Sequence, residues 1–139
     1  MDQETINNIK DIHILYVEDD IEIQDSFSAV LKKLFNSVTI ASNGQEGLDL
    51  FKKKENTFDF IISDIEMPEM NGLEMIEEIK KTGSEIPCIL TTAHGEFDYF
   101  MKANEIGVFR YMQKPLDINE LLEAIQDNQN GLEVKKIDL

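Results

Sequence analysis

With 139 residues, 42% of them hydrophobic and 29% charged, the chain has the make-up of one globular domain able to bury a core without disulfide staples, rather than of a disordered or membrane protein. Its 13 Lys and Arg residues stand against 28 Asp and Glu, a formal charge of −15, and a surface of that sign repels phosphate backbones and anionic headgroups. Direct nucleic-acid binding is therefore not expected, and no apolar run is long enough to cross a bilayer.

Met1 to Asp11 is polar and acidic and lacks the positive region and apolar run of a secretory signal, so residues 1–10 read as a tail and the expected address is cytoplasmic. The first apolar run, at about 12–17, has strand character and ends in Glu18-Asp19-Asp20. Asp20 is a helix-start signal, and Ile23, Phe27, Val30, Leu31 and Leu34 then recur at helical spacing. A second strand is expected at about 38–41, then a turn at Asn43-Gly44 and a weaker helix marked by Leu48 and Phe51. The run Lys52-Lys53-Lys54 at its end reads as a solvated face.

The third strand, at about 58–63, delivers Asp64, and Asn71 or Gly72 opens a helix carrying Leu73, Ile76 and Ile79. A fourth strand at about 87–92 ends in Thr91-Thr92; it contains the lone Cys88, whose apolar neighbours make it a buried small hydrophobe rather than a reactive thiol. Phe97, Phe100 and Met101 mark the fourth helix. A fifth strand at about 108–112 precedes Lys114, and Asp117 starts a last helix with Leu121, Leu122 and Ile125. All these stripes read as core packing. Residues 129–139 read as a frayed tail or the start of a linker.

Five strands alternating with five helices make an α/β protein with a parallel sheet, helices on both faces, and ligands outside the carboxyl ends of the strands. Glu18, Asp19, Asp64, Thr92 and Lys114 all fall at that edge. Like charges gathered in a partly dry crevice raise one another's pKa unless a cation neutralises them, and oxygen donors without paired His or Cys suit Mg2+. The constellation fits phosphoryl transfer, where a protein chiefly positions groups and neutralises charge. Asp64 is the candidate nucleophile, Asp19 a direct metal ligand, and Glu18 a ligand directly or through water. Lys114 and the Thr92 hydroxyl are candidates to meet phosphoryl oxygens. Each has a plainer alternative: Asp64 as a cap or turn residue, Thr92 as a cap, Tyr111 as a core aromatic, His94 as a loop residue.

The sequence resembles the response-regulator receiver family of two-component signalling over about residues 11–128. The resemblance rests on Leu15-Tyr16-Val17-Glu18-Asp19-Asp20, on Ser63-Asp64-Ile65-Glu66-Met67-Pro68-Glu69-Met70-Asn71-Gly72, on Thr92-Ala93, and on Tyr111 three residues before Lys114-Pro115. It implies a flavodoxin-like (βα)5 three-layer sandwich with strand order 2-1-3-4-5. It also implies Asp64 as phosphoacceptor, Glu18, Asp19, Asp64 and the backbone carbonyl of Glu66 around Mg2+, Lys114 as the phosphate-binding lysine, Thr92 and Tyr111 as a switch pair, and a cis Lys114-Pro115 bond. The first acid is Glu18 where the family often has Asp, which alters its reach to the metal. Glu66 and His94 fall at positions where receivers differ and dephosphorylation is tuned.

The implied partners are a sensor histidine kinase or phosphotransfer protein as donor, and a downstream protein or a linked output domain as target. Pairing through the fourth helix, fifth strand and fifth helix is a further implied arrangement. Two other classes compete with this reading. A Mg2+-dependent phosphohydrolase with an aspartyl-phosphate intermediate would use Glu66 as general acid, but the short chain has no room for a substrate cap. An unphosphorylated receiver-like interaction domain would keep only the fold.

Overall fold

The computed structural model describes residues 3–54, 57–93 and 95–131. His94, and residues 132–139 of the tail expected at 129–139, lie outside the described residues. The elements run α1 (Gln3–Ile9), β1 (His13–Val17), α2 (Ile21–Leu34), β2 (Ser37–Ala41), α3 (Gly44–Lys53), β3 (Phe60–Asp64), α4 (Gly72–Lys81), β4 (Cys88–Thr92), α5 (Phe97–Ile106), β5 (Arg110–Gln113) and α6 (Ile118–Gln129). The expected fourth and fifth helices are therefore α5 and α6.

The strands form one parallel sheet in the order β2-β1-β3-β4-β5, the flavodoxin-like arrangement. Strands covered on both faces read as continuous apolar runs, because alternate side chains enter two different cores. On β1, Leu15 and Val17 point into a core with Leu48 and Phe51 of α3 and Ile76 and Ile79 of α4. Ile14 and Tyr16 point the other way, to Leu31 of α2 and Leu121 and Ile125 of α6. The register sets the strand ends nearly flush: Val17 lies opposite Ala41 and Ser63, Asp64 opposite Thr91, and Thr92 opposite Gln113.

Short polar side chains start the helices as their chemistry predicts, by accepting otherwise unpaired first-turn N–H groups. Asp20 Oδ1 accepts from Ile23 N at 3.1 Å, and Asp117 Oδ1 from Asn119 N at 2.8 Å. Asn71, rather than Gly72, caps α4: its Oδ1 accepts from Glu74 N at 2.8 Å while Glu74 Oε1 accepts from Asn71 N at 3.0 Å, a reciprocal capping box. Gly107 ends α5 at φ 82°, a left-handed conformation that glycine adopts without a Cβ clash.

Two expectations change. The segment read as an N-terminal tail contains α1, whose Ile9 is buried with Ile12 in the α2–α6 core, while the N–H of Asn36 bonds to the Lys10 carbonyl at 2.7 Å. Three isoleucines at positions 6, 9 and 12, sparse among polar residues, are enough to tie it down. Second, the stripes on α2 and α5 are only partly core: Ile23, Val30, Phe97 and Met101 are exposed, because no further layer covers those flanks. Cys88 is buried as expected, and that burial pushes its thiol up to about 12.

Candidate functional site

Glu18 and Asp19 follow β1, Asp64 is the last residue of β3, Thr92 the last of β4, and Lys114 follows β5, so four neighbouring strands deliver their side chains to one rim. Carboxylate oxygens of Glu18, Asp19 and Asp64 lie within 4.8 Å of one another. Glu18 and Asp64 are almost fully buried, and the Lys114 ammonium lies between them, 3.1 Å from Glu18 Oε1 and 2.9 Å from Asp64 Oδ2. The backbone supports this placement. Lys114 N–H bonds to the Thr92 carbonyl at 2.7 Å, and the Lys114-Pro115 peptide is cis.

The loop after β3 turns back on itself at Gly72, whose N–H bonds to the Ile65 carbonyl at 3.0 Å. A Cβ at Gly72 would lie 2.2 Å from the Asp64 carbonyl oxygen, so only glycine lets this loop close against the end of β3. Gln24 is a supporting residue that sequence reasoning missed. Its side-chain amide donates to the Glu18 carbonyl at 2.8 Å and to Ser42 Oγ at 3.1 Å, fixing the acidic turn from α2. A lone Gln on a helix carries no signal of that role in the sequence.

Burial pushes the Asp64 carboxyl up to about 7, with Glu18 and a contact to Glu66 adding to the rise and Lys114 opposing it. Burial works against the Lys114 charge, yet its bonds to Asp64 and Glu18 win and raise it. Asp64 thus has unequal oxygens. Oδ2 is engaged by Lys114, while Oδ1 is buried without a hydrogen-bond partner. An unpaired buried carboxylate oxygen is costly, and a hard cation beside it would satisfy it. Three clustered carboxylates, all oxygen donors, fit Mg2+ on that ground, with Asp19, Asp64 and Glu18 the side chains able to hold it.

Thr91 and Thr92 face opposite ways, as neighbours on a strand must. Thr91 Oγ1 donates to the Ser63 carbonyl at 3.4 Å and borders a groove on the α2 side, whereas Thr92, fully buried, donates its hydroxyl proton to Glu66 Oε1. Burial alone would raise the Glu66 carboxyl, but bonds from Thr92 and from backbone N–H groups hold it below the usual carboxylate range. Tyr111 packs edge-on against Phe100, 5.8 Å between ring centroids, with its Oη buried and without a hydrogen-bond partner. The acids, the amine and the Thr92 hydroxyl are thus brought together, while Tyr111 stands behind Thr92 at β5.

Beside the rim is a groove of about 670 Å3 between α2 and the start of α6, lined by Ile23, Phe27, Val30 and Leu116 and reaching Glu18 and Lys114. No helix among the described residues is long and apolar enough to cross a membrane.

A family model described as Response regulator receiver domain matches residues 14–126. The chain is 36% identical over 118 residues to the transcriptional regulatory protein GlrR of Escherichia coli K12, covering 85% of this chain and 26% of that protein, so it spans about a quarter of that relative's length. Among solved structures, the N-terminal domain of an uncharacterized protein from Wolinella succinogenes is 37% identical with a TM-score of 0.79, covering 86% of this chain and 94% of that one. A response regulator receiver domain protein from Clostridium thermocellum is 33% identical with a TM-score of 0.80, over the same shares of the two chains.

Proposed function

The chain belongs to the response regulator receiver family, a class of signalling module rather than of turnover enzyme, and from that premise we propose that it is switched by a phosphoryl group received on Asp64. The observation that carries this reading is the pair of unequal oxygens on Asp64: Lys114 engages Oδ2, and buried Oδ1 is left for a new bond. In the proposed transfer, Oδ1 attacks phosphorus. The bond from phosphorus to the donor nitrogen breaks, and the nitrogen keeps the electron pair and takes up a proton. Mg2+, held by Asp19, Asp64, Glu18 and the Glu66 backbone carbonyl, would supply charge neutralisation at the phosphoryl oxygens. Lys114 steadies the acceptor and then meets a phosphoryl oxygen.

The donor is a histidine kinase or phosphotransfer protein, and the exposed apolar side chains Ile23 and Val30 on α2, which border the groove reaching Lys114, offer such a protein a contact surface. The readout is a change of the α5–β5–α6 face through Thr92 and Tyr111, where Phe97 and Met101 are exposed for a downstream protein, a linked output domain or a second copy. The expected place of action is the cytoplasm, where such donors work. Moving a two-state element from mostly off to mostly on takes about 5 kcal/mol, within reach of a few charge-assisted hydrogen bonds.

The test is labelling with acetyl phosphate and Mg2+. One stoichiometric, acid-stable and alkali-labile label is expected on the wild type and none on Asp64→Asn. Sustained turnover of small phosphate esters, as a phosphohydrolase would show, or unchanged labelling of Asp64→Asn, would overturn the reading.

A further inference from the structure

Resting on the reading of Asp64 as phosphoacceptor, we propose that the Glu66 side chain is a built-in competitor for the Thr92 hydroxyl, holding the space beside Asp64 that an incoming phosphoryl group needs. Glu66 lies two residues past Asp64 in the loop that folds back through Gly72, and Thr92 extends one residue beyond the Asp64–Thr91 register pair. Thr92, fully buried at the end of β4, gives its proton to Glu66 Oε1. The other Glu66 oxygen, Oε2, is buried without a hydrogen-bond partner, as is Asp64 Oδ1. The two carboxyl groups are near enough that each shifts the other's ionisation, Glu66 raising Asp64 and Asp64 lowering Glu66.

A threonine hydroxyl has a single proton to donate. It serves Glu66 or a phosphoryl oxygen, and the exchange replaces one charge-assisted bond by another. The switch therefore gains only the difference between the two bonds. A carboxylate that near to Asp64 also repels a dianionic donor. Withdrawal of Glu66 becomes part of the activation step, which makes Glu66 a positioning residue that restrains the reaction rather than a group that performs it. Its backbone carbonyl, the part implied in metal binding, is untouched by side-chain replacement.

The initial rate of Asp64 labelling by acetyl phosphate at saturating Mg2+ tests this in wild type, Glu66→Ala and Glu66→Gln, each also in a Thr92→Ala background. Glu66→Ala is expected to label faster by about tenfold, the scale of one hydrogen bond to a charged group, and to bind beryllofluoride with Mg2+ more tightly by a similar factor. Glu66→Gln, which keeps an acceptor for Thr92 but no charge, is expected to fall between. In the Thr92→Ala background the gain is expected to shrink by more than half, because the acid has lost its tether. A wild-type or slower rate in both Glu66 variants overturns the proposal, as does an equal gain in both Thr92 backgrounds. Labelling that persists at an unchanged rate removes this inference alone, whereas no labelling even of the wild type removes the phosphoacceptor reading and this one with it.

Discussion

At Asp64 the ionised carboxylate is held against an unfavourable setting: burial and Glu18 outweigh the help from Lys114, so its pKa stands near 7 instead of the 3.8 of a free aspartate. A folded-state pKa above the unfolded one means the folded chain holds its proton more tightly, so this group's contribution to stability is present below about pH 4 and is lost as pH rises to about 7. Asp64→Asn carries no such penalty. It is expected to melt several degrees above the wild type at pH 8 in EDTA, with the difference closing towards pH 4, in a calorimetric series. Mg2+ held by the proposed triad would act on the same oxygens and is expected to raise the melting temperature of the wild type by mass action; Asp19→Ala, which would remove one proposed ligand, is expected to lose most of that rise in a paired titration. The gathering of these side chains at one rim was legible in the sequence because each lies at or just past the end of an apolar run that forms a strand. The Glu66–Thr92 contact was not, since nothing in the residue order tells where a loop side chain folds back. Gln24 was hidden for the same reason.

The elements show why strand and helix positions were readable and their surroundings were not. Apolar periodicity reports which face of a helix is apolar, and for α4 and α6 that face is the core. On α2 and α5 the same signal includes Ile23, Val30, Phe97 and Met101, which stay exposed, because periodicity carries no information on what covers the face. The sheet order 2-1-3-4-5 likewise came from family resemblance, since alternation of strands and helices is compatible with several parallel orders. The strand boundaries shifted by one to two residues, as at β3, where Phe58 and Asp59 precede the ladder and Asp64 belongs to it. The loop from β3 to α4 makes the sharpest prediction at this scale. Gly72→Ala places a methyl group 2.2 Å from a backbone oxygen, too close to be relieved by a side-chain rotation. It is expected to cost about 2 kcal/mol or more by urea denaturation and to slow Asp64 labelling, while the nearby Asn71→Ala, which loses a cap alone, is expected to cost about 1 kcal/mol.

For the whole molecule, a charge of −15 makes net self-repulsion the dominant long-range electrostatic effect. The exposed ion pairs Lys81–Glu78 and Lys102–Glu77 contribute little each, so screening them costs less than screening the overall repulsion gains. Raising NaCl from roughly 0.05 to 0.5 M, across which the screening length falls severalfold, is expected to raise the melting temperature in EDTA; a fall would show that attractive pairs dominate. The molecule also has two dissimilar rims. At one, α1 buries Ile9, and Asn36 bonds to both Lys10 and Asp11, which ties the entrances of β1 and β2 together. At the other stand the clustered carboxylates, and the backbone link from Lys114 to Thr92 joins the exits of β4 and β5. With one rim clamped and the other joined across its strand exits, a displacement of the Lys114 backbone is expected to carry the Thr92 carbonyl with it, a lever with a fixed heel.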